Sequence, residues 1–287
     1  MWALVTGASS GIGRDMARYL FGLGYNLIIV ARNKEGLDKL KDELLNTDNT
    51  TIIKNNQEEN RKESNTQKRE ILVIQEDLSI KDNCFDLYRK TKEIDLDLLI
   101  NNAGFGVFGN FTETDLEKEV NLINTNITAV HILTKLYLKD MVKKNKGKIL
   151  NVASIAGMEP GPLMAAYYAS KAYVIRLSRA INKELKKQSS KVRISILCPG
   201  PVDTNFNNVA NVKFKAPSAP SEKVAKYGID KTLKGKLIII PGLLNKSVRL
   251  FSKIIPDCIL EACAYHIQIR KMPPETDKFG TIGKHNK

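Results

Sequence analysis

The chain of 287 residues has no apolar run approaching the roughly 20 residues that a membrane-spanning helix needs. Cysteine is scarce: Cys84, Cys198, Cys258 and Cys263 include no C-x-x-C pair, so neither a disulfide framework nor a zinc cluster is expected. All four stand in apolar or helical contexts and read as small buried hydrophobes. Histidine is scarcer still, and His131, His266 and His285 lie too far apart to show ligand spacing, so no metal is expected. No basic stretch or apolar leader precedes the opening "MWALVTGASSGIG", which makes a cytoplasmic protein the simplest expectation. Negative charge is also short, with 31 acidic against 45 basic residues and a net charge of +14. From Lys213 to Lys287 fifteen basic residues face six acidic ones, so most of the excess lies in the C-terminal quarter. No recognition-helix, zinc-finger or RNA-binding signature accompanies it, and nucleic acid is not expected as a partner.

What is present is an alternation. The runs "WALVT", "NLIIVA", "ILVIQ", "LDLLIN", "GKILNVAS", "VRISILC" and "KLIIIP" are strand-like, and longer amphipathic segments separate them. Strands apolar enough to be buried on both faces, alternating with helices, predict an α/β fold: a Rossmann-like, doubly wound parallel sheet of about seven strands, helices on both faces. Residues 1–242 are expected to form this domain, and residues 243–287 a basic helical tail. The segment 46–69 has only Ile52 and Ile53 as large apolar residues, too few to offset the entropy of ordering. It reads as a solvated polar insertion before the third strand.

The turn "TGASSGIG" joins the first strand to the first helix, with Gly7, Gly11 and Gly13 spaced G-x-x-x-G-x-G. Gly7 suits a tight turn, Gly11 the approach of a pyrophosphate, and Gly13 close packing of helix on strand. Free N–H groups and the helix dipole favour phosphate at this point. After the second strand the chain reads "VARNK" without an acidic residue. A carboxylate there accepts from a ribose 2′-hydroxyl, whereas the fork of Arg32 suits a 2′-phosphate, so NADP is expected as cofactor rather than NAD.

Together with "NNAG" at Asn101–Gly104, Ser154, "YYASK" and "PGPVDT" at 199–204, these motifs resemble the short-chain dehydrogenase/reductase family over roughly residues 1–242. "NNAGFGVFG", "CPGPVDTNF" and "IPGLLNK" are similar to its ketoreductase branch, which includes 3-ketoacyl and steroid reductases. The resemblance implies an oxidoreductase that moves hydride from C4 of a reduced nicotinamide to a ketone or aldehyde carbon. It implies a tyrosine as general acid and a lysine that brings its phenol down toward neutral pH, each unit requiring about 1.4 kcal/mol. Lys171 would also hold the nicotinamide ribose, Ser154 the substrate oxygen, and Asn126 a water leading to solvent. Helical geometry alone leaves two phenols open, because Tyr167 and Tyr168 stand about 40° and about 60° from Lys171. The family pattern Y-x-x-x-K selects Tyr167 and leaves Tyr168 as packing. Further cofactor contacts are implied for Ser9, Ile12, Asp77, Leu78, Asn102, Val202 and Thr204, while Asn101 is assigned to holding the sheet together.

The expected function is therefore NADP-dependent reduction of a carbonyl, on a 3-oxoacyl or other hydrophobic substrate, in a homo-oligomer. A non-catalytic NADP-binding sensor or scaffold is the alternative, though such a protein has no need of Tyr167. Past the last strand, "LLNKSVRLFSKII" places Leu244, Val248, Phe251 and Ile255 on one helical face and Lys246, Arg249 and Lys253 on the other. Such a helix serves as a lid on the cleft, as a subunit contact, or as a peripheral membrane contact.

Overall fold

The computed structural model describes residues 1–58, 69–204, 218–242, 245 and 255–269. Seven parallel strands are built from the seven apolar runs: β1 (Trp2–Thr6), β2 (Asn26–Ala31), β3 (Ile71–Gln75), β4 (Leu96–Asn101), β5 (Lys148–Val152), β6 (Arg193–Leu197) and β9 (Ile238–Ile239). Their order across the sheet is β3-β2-β1-β4-β5-β6-β9. The remaining two, β7 (Val202–Asp203) and β8 (Ala219–Pro220), make a separate short parallel ladder that the sequence did not announce.

Both faces of the sheet are covered, and the pleat of β1 shows how. Ala3 and Val5 enter one core with Met16, Leu20 and Leu37, beneath α1 (Gly11–Gly22) and α2 (Lys34–Glu58). Leu4 points the other way, into a second core with Leu87, Leu133 and Tyr137, from α3 (Lys81–Thr91) and α5 (Val130–Lys144). Strands buried on both sides have no solvent face, which is why their sequences run apolar without alternation. The long α6 (Ala165–Lys187) lies on the second face, its Leu185 packed with Ile149 and Ile194. The helix α7 (Ser221–Leu233) returns to the first, with Val224 and Ile229 in the same core as Leu20.

The chain winds outward from β1 through β2 to β3, then crosses back so that β4 lies on the other side of β1. The order reverses between β1 and β4, and the crevice beyond their C-terminal ends is where an open parallel sheet binds ligands. Two irregular pieces shape the rim. A π-helical segment, Asn124–Ala129, joins α4 (Leu116–Ile123) to α5, and a 3-10 turn, Ile155–Met158, follows β5.

The insertion differs from expectation. Backbone from Asn46 to Glu58 continues α2 as a helix rather than leaving it, while residues 59–68 lie outside the described residues. Leu37, Leu40 and Leu44 anchor the first turns to the core, and a helix once nucleated extends through polar residues at little further cost. Of the amphipathic stretch 243–255 only Asn245 and Ile255 are described, so its expected face lies outside the described residues. Beyond it α8 (Asp257–Ile269) packs against the crevice. No described helix is long and apolar enough to cross a membrane. The cysteines divide: Cys84 and Cys198 are buried as expected, but Cys258 and Cys263 are exposed on α8.

Candidate active site

A single cavity of about 720 Å³ runs from the glycine turn to α8. At one end it is lined by Gly7, Ser9, Gly11, Ile12, Arg32, Asp77, Leu78 and Asn102, and further along by Val202 and Thr204. Two glycines have measurable reasons. Gly7 takes φ +66°, the left-handed region that side chains disfavour, and a Cβ there would meet the backbone of Ala103 at 2.9 Å. Gly13 does not line the cavity; a Cβ on it would come within 2.3 Å of both the Gly7 carbonyl oxygen and the Asn102 amide nitrogen. It lets α1 sit directly on the turn, so that the helix N-terminus faces the cavity.

Asn102 fastens the turn from the neighbouring strand, its Nδ2 donating to the carbonyls of Thr6 at 3.0 Å and Gly7 at 3.3 Å. Asn101 is buried and points into the sheet, donating to Thr134 at 3.0 Å and Asn151 at 2.8 Å. Arg32 is largely exposed at the rim, 3.8 Å from the Asp77 carboxylate.

Ser154, Tyr167 and Lys171 line the same cavity, past the ends of β5 and β6. Ser154 follows β5 and caps the 3-10 turn: its Oγ accepts from the Ala156 N–H at 3.1 Å and donates to the Pro199 carbonyl at 3.3 Å. A hydrogen bond also joins it to Tyr167. Tyr167 and Lys171 come from successive turns of α6, with the Lys171 Nζ 5.7 Å from the Tyr167 ring centroid. That nitrogen donates to the Val152 carbonyl at 3.0 Å. A Cβ on Gly157 would meet the Lys171 carbonyl oxygen at 2.6 Å, so a bare backbone lets the 3-10 turn rest on α6 beside the lysine.

Asn126 is wholly buried in the π-helical segment and does not face the cavity. It accepts from the Phe105 N–H at 3.1 Å and donates to the Phe105 carbonyl and the Ser170 hydroxyl, both at 3.0 Å. The loop after β4 is thereby tied to α6. Gly104 separates Asn126 from the lysine: a Cβ there would lie 2.7 Å from Asn126 Oδ1 and 3.4 Å from Lys171 Nζ.

Burial pushes the Tyr167 phenol up to about 12, against a smaller downward pull from its bond to Ser154. Desolvation lowers Lys171 to about 8. In this arrangement burial dominates the phenol and its bond to Ser154 draws it down, while the Lys171 ammonium stands over the ring. A tyrosine held in its protonated form is suited to giving a proton, and a lysine at about 8 still carries its charge at pH 7 in about tenfold excess.

Several lining residues carried no sequence motif. Tyr168, expected to be packing alone, lines the cavity, and its hydroxyl accepts from Gln268 on α8 at 2.6 Å. Its ring meets that of Tyr167 edge-on with centroids 6.1 Å apart, and Gly161 backs it so closely that a Cβ would overlap the ring. Glu159, Met164, Leu260 and Ile267 complete this end. The single local hint was the apolar spacing of Leu260, Ala264 and Ile267 on one helical face.

A family model described as short chain dehydrogenase matches residues 1–56 and 47–213 of the chain. Among curated relatives, a very-long-chain 3-oxoacyl-CoA reductase of Anas platyrhynchos is 32% identical over 79% of this chain and 68% of its own length. A 17-beta-hydroxysteroid dehydrogenase type 3 of Mus musculus is 30% identical over 74% of this chain and 64% of its own length. The chain thus spans about two thirds of these relatives. Among solved structures, a short-chain dehydrogenase from Sphingobium yanoikuyae in complex with NADPH superposes with a TM-score of 0.73. It is 25% identical, and the match covers 89% of this chain and 96% of that one.

Proposed function

The chain belongs to the short-chain dehydrogenase family and is a nicotinamide-dependent oxidoreductase acting on CH–OH groups, and on that premise we propose that it reduces a hydrophobic ketone or aldehyde with NADPH. The observation that carries this reading is that Ser154, Tyr167 and Lys171 share one continuous cavity with the glycine turn and Arg32.

The residues at the turn fit a dinucleotide. Gly7 and Gly11 form a cradle that side chains would fill, and the bare N-terminus of α1 behind them attracts phosphate oxygens. Ser9 and Ile12 flank the same place, with Gly13 holding the helix against it. Asp77 and Leu78 would border the adenine, and Arg32 would hold a 2′-phosphate, its fork already turned toward one anionic partner at the rim. Asn102, Val202 and Thr204 would border the nicotinamide half. The reduced nicotinamide, when bound, supplies the hydride for the carbonyl carbon. The preference for NADPH over NADH is supported by Arg32 and by the NADPH bound in the similar Sphingobium yanoikuyae structure.

Tyr167 is assigned the general acid, giving its phenolic proton to the carbonyl oxygen as negative charge grows there. Ser154 steadies that oxygen with its hydroxyl, which lies beside the phenol by virtue of their shared bond. Lys171 would hold a ribose hydroxyl of the dinucleotide, and its ammonium sets a positive charge near the Tyr167 ring. Asn126 is a positioning residue, and the wide π-helical turn it sits in frees main chain for a water that leads from Lys171 toward solvent. The apolar wall of Met164, Leu260 and Ile267, and the 3-oxoacyl-CoA reductase and hydroxysteroid dehydrogenase among the relatives, support a large hydrophobic carbonyl substrate. A catalytic domain of residues 1–242, a homo-oligomer and a cytoplasmic place complete the proposal, with the basic stretch after that domain serving as a lid, a subunit contact or a peripheral membrane contact. A binding protein without turnover would have no use for a buried Tyr167 and Lys171 beside a substrate-sized space. Consumption of NADPH against a panel of acyl thioesters, steroids and small ketones tests the reading, and no turnover across the panel would end it.

A further inference from the structure

The end of the cavity under α8 holds three polar groups that carbonyl reduction leaves unused. Glu159 follows the 3-10 turn and presents a half-buried carboxyl to the cavity; burial raises its pKa, and no described residue pairs with it. Tyr168 accepts a hydrogen bond from Gln268 at 2.6 Å, while no acceptor for its own hydroxyl proton exists among the described residues. Gln268 is only 1% exposed, and its Oε1 has no partner. Glu159 is close enough to Tyr168 for its charge to push that phenol further up.

Buried polar atoms without partners are rare because an unmade hydrogen bond forfeits water without replacement. Gln268 Oε1 is such an atom, and beside it the half-buried Glu159 carboxyl and the Tyr168 hydroxyl face the same cavity, so this otherwise apolar wall points to a ligand that engages them. The set consists of one free donor, the Tyr168 O–H, and two free acceptors, Glu159 and Gln268. A carboxylate or phosphate would be repelled by Glu159, a keto oxygen would use only the donor, and an ammonium would leave the Tyr168 proton unmatched. A hydroxyl gives one hydrogen bond and receives another, and so engages the Tyr168 donor and one of the two acceptors at once.

We propose that Glu159, Tyr168 and Gln268 form a subsite that reads an alcohol group on the substrate, so that the cavity selects apolar carbonyl compounds carrying a hydroxyl remote from the reacting carbon. The inference rests on the ketone-reductase reading for what occupies the Tyr167 end. It makes the far end selective by polarity rather than by shape alone. A site built to hydrogen-bond a hydroxyl discriminates strongly against the analogue that lacks it, because its own groups are then left unpaired.

The test compares 2-alkanones with the corresponding ω-hydroxy-2-alkanones over a range of chain lengths, binding to the full chain saturated with NADP being measured by calorimetry. Over one window of lengths the hydroxy ketone should bind about tenfold to a hundredfold more tightly. Glu159→Ala should bring that ratio toward one while leaving the plain alkanone unchanged, and Glu159→Gln, which keeps an acceptor, should retain part of it. Tyr168→Phe should remove another part. Equal affinity at every length, or an advantage that survives Glu159→Ala, overturns the subsite. NADPH consumption measured in parallel separates the two readings. If alkanones are reduced with no hydroxyl advantage, the subsite alone falls; if the advantage is present and nothing is reduced, the reductase assignment falls and the subsite stands.

Discussion

Lys171 and Tyr167 lie on successive turns of α6 with the ammonium 5.7 Å from the ring centroid, yet the lysine spends its hydrogen bond on the Val152 carbonyl and the phenol stays high at about 12. The pair is therefore set to deliver a proton rather than to accept one.

Replacing Tyr167 with Phe removes the proton donor and little else. Turnover should fall by about a hundredfold to ten-thousandfold, with NADPH affinity retained within a few-fold. Tyr168→Phe should leave the reduction of simple ketones largely intact. Steady-state kinetics and cofactor titration of both variants decide the matter, and equal losses would remove the assignment of Tyr167.

The pH profile should carry the signature of Lys171. Its pKa is lowered to about 8 from 10.5, so its charge is complete below pH 7 and lost as pH rises through about 8, well before Tyr167 ionises. The rate of reduction should be level at neutral pH and decline above about 8. Lys171→Met should be slow throughout and lack that inflection; an unchanged profile in the variant would assign the titration elsewhere.

Arg32→Ala tests the choice of cofactor. A hydrogen-bonded charge pair contributes about 1.5–3 kcal/mol, so NADPH should weaken by about tenfold to a hundredfold while NADH changes little. Parallel losses for both dinucleotides would make Arg32 a bystander whose partner is Asp77 alone.

Gly13→Ala places a methyl group 2.3 Å from the Gly7 carbonyl and the Asn102 amide, neither of which can yield without moving the turn. Overpacking of this kind costs about 1–3 kcal/mol, and the melting temperature should drop by several degrees with loss of cofactor binding. A variant of unchanged stability and affinity would mean that α1 can shift outward at no cost.

A Gly/Ser linker in place of residues 49–65 should change stability little, since Leu37, Leu40 and Leu44, which carry the described core contacts of α2, all lie N-terminal to the replacement. Closing a longer loop adds only logarithmically to the entropy lost. A fall of many degrees in a thermal melt would show that the distal turns of α2 pack on the domain.

The seven strands were legible because a strand buried on both faces leaves an uninterrupted apolar run, and each run found its place in the sheet. The distal half of α2 was not, because composition reports which residues can be buried and says little about a backbone that merely continues an anchored helix. At the site, Ser154, Tyr167 and Lys171 were legible from their spacing, and the structure gathers them in one cavity. Their proton affinities were not, since these follow from burial, which no spacing encodes. Glu159 and Gln268 were illegible for another reason. Each is unremarkable in its own segment, and their relation to Tyr168 exists only once α8, a hundred residues further along, is packed on α6.

That separation along the chain sets an order of assembly during synthesis. The residues that line the dinucleotide side are all made once the chain has passed Thr204, and the helix α7 and strand β9 that support them by residue 239, whereas the wall that touches Tyr168 emerges about thirty residues later, some seconds at ordinary rates of translation. A nascent chain can thus hold its coenzyme, and be stabilised by it, before it can enclose anything to reduce.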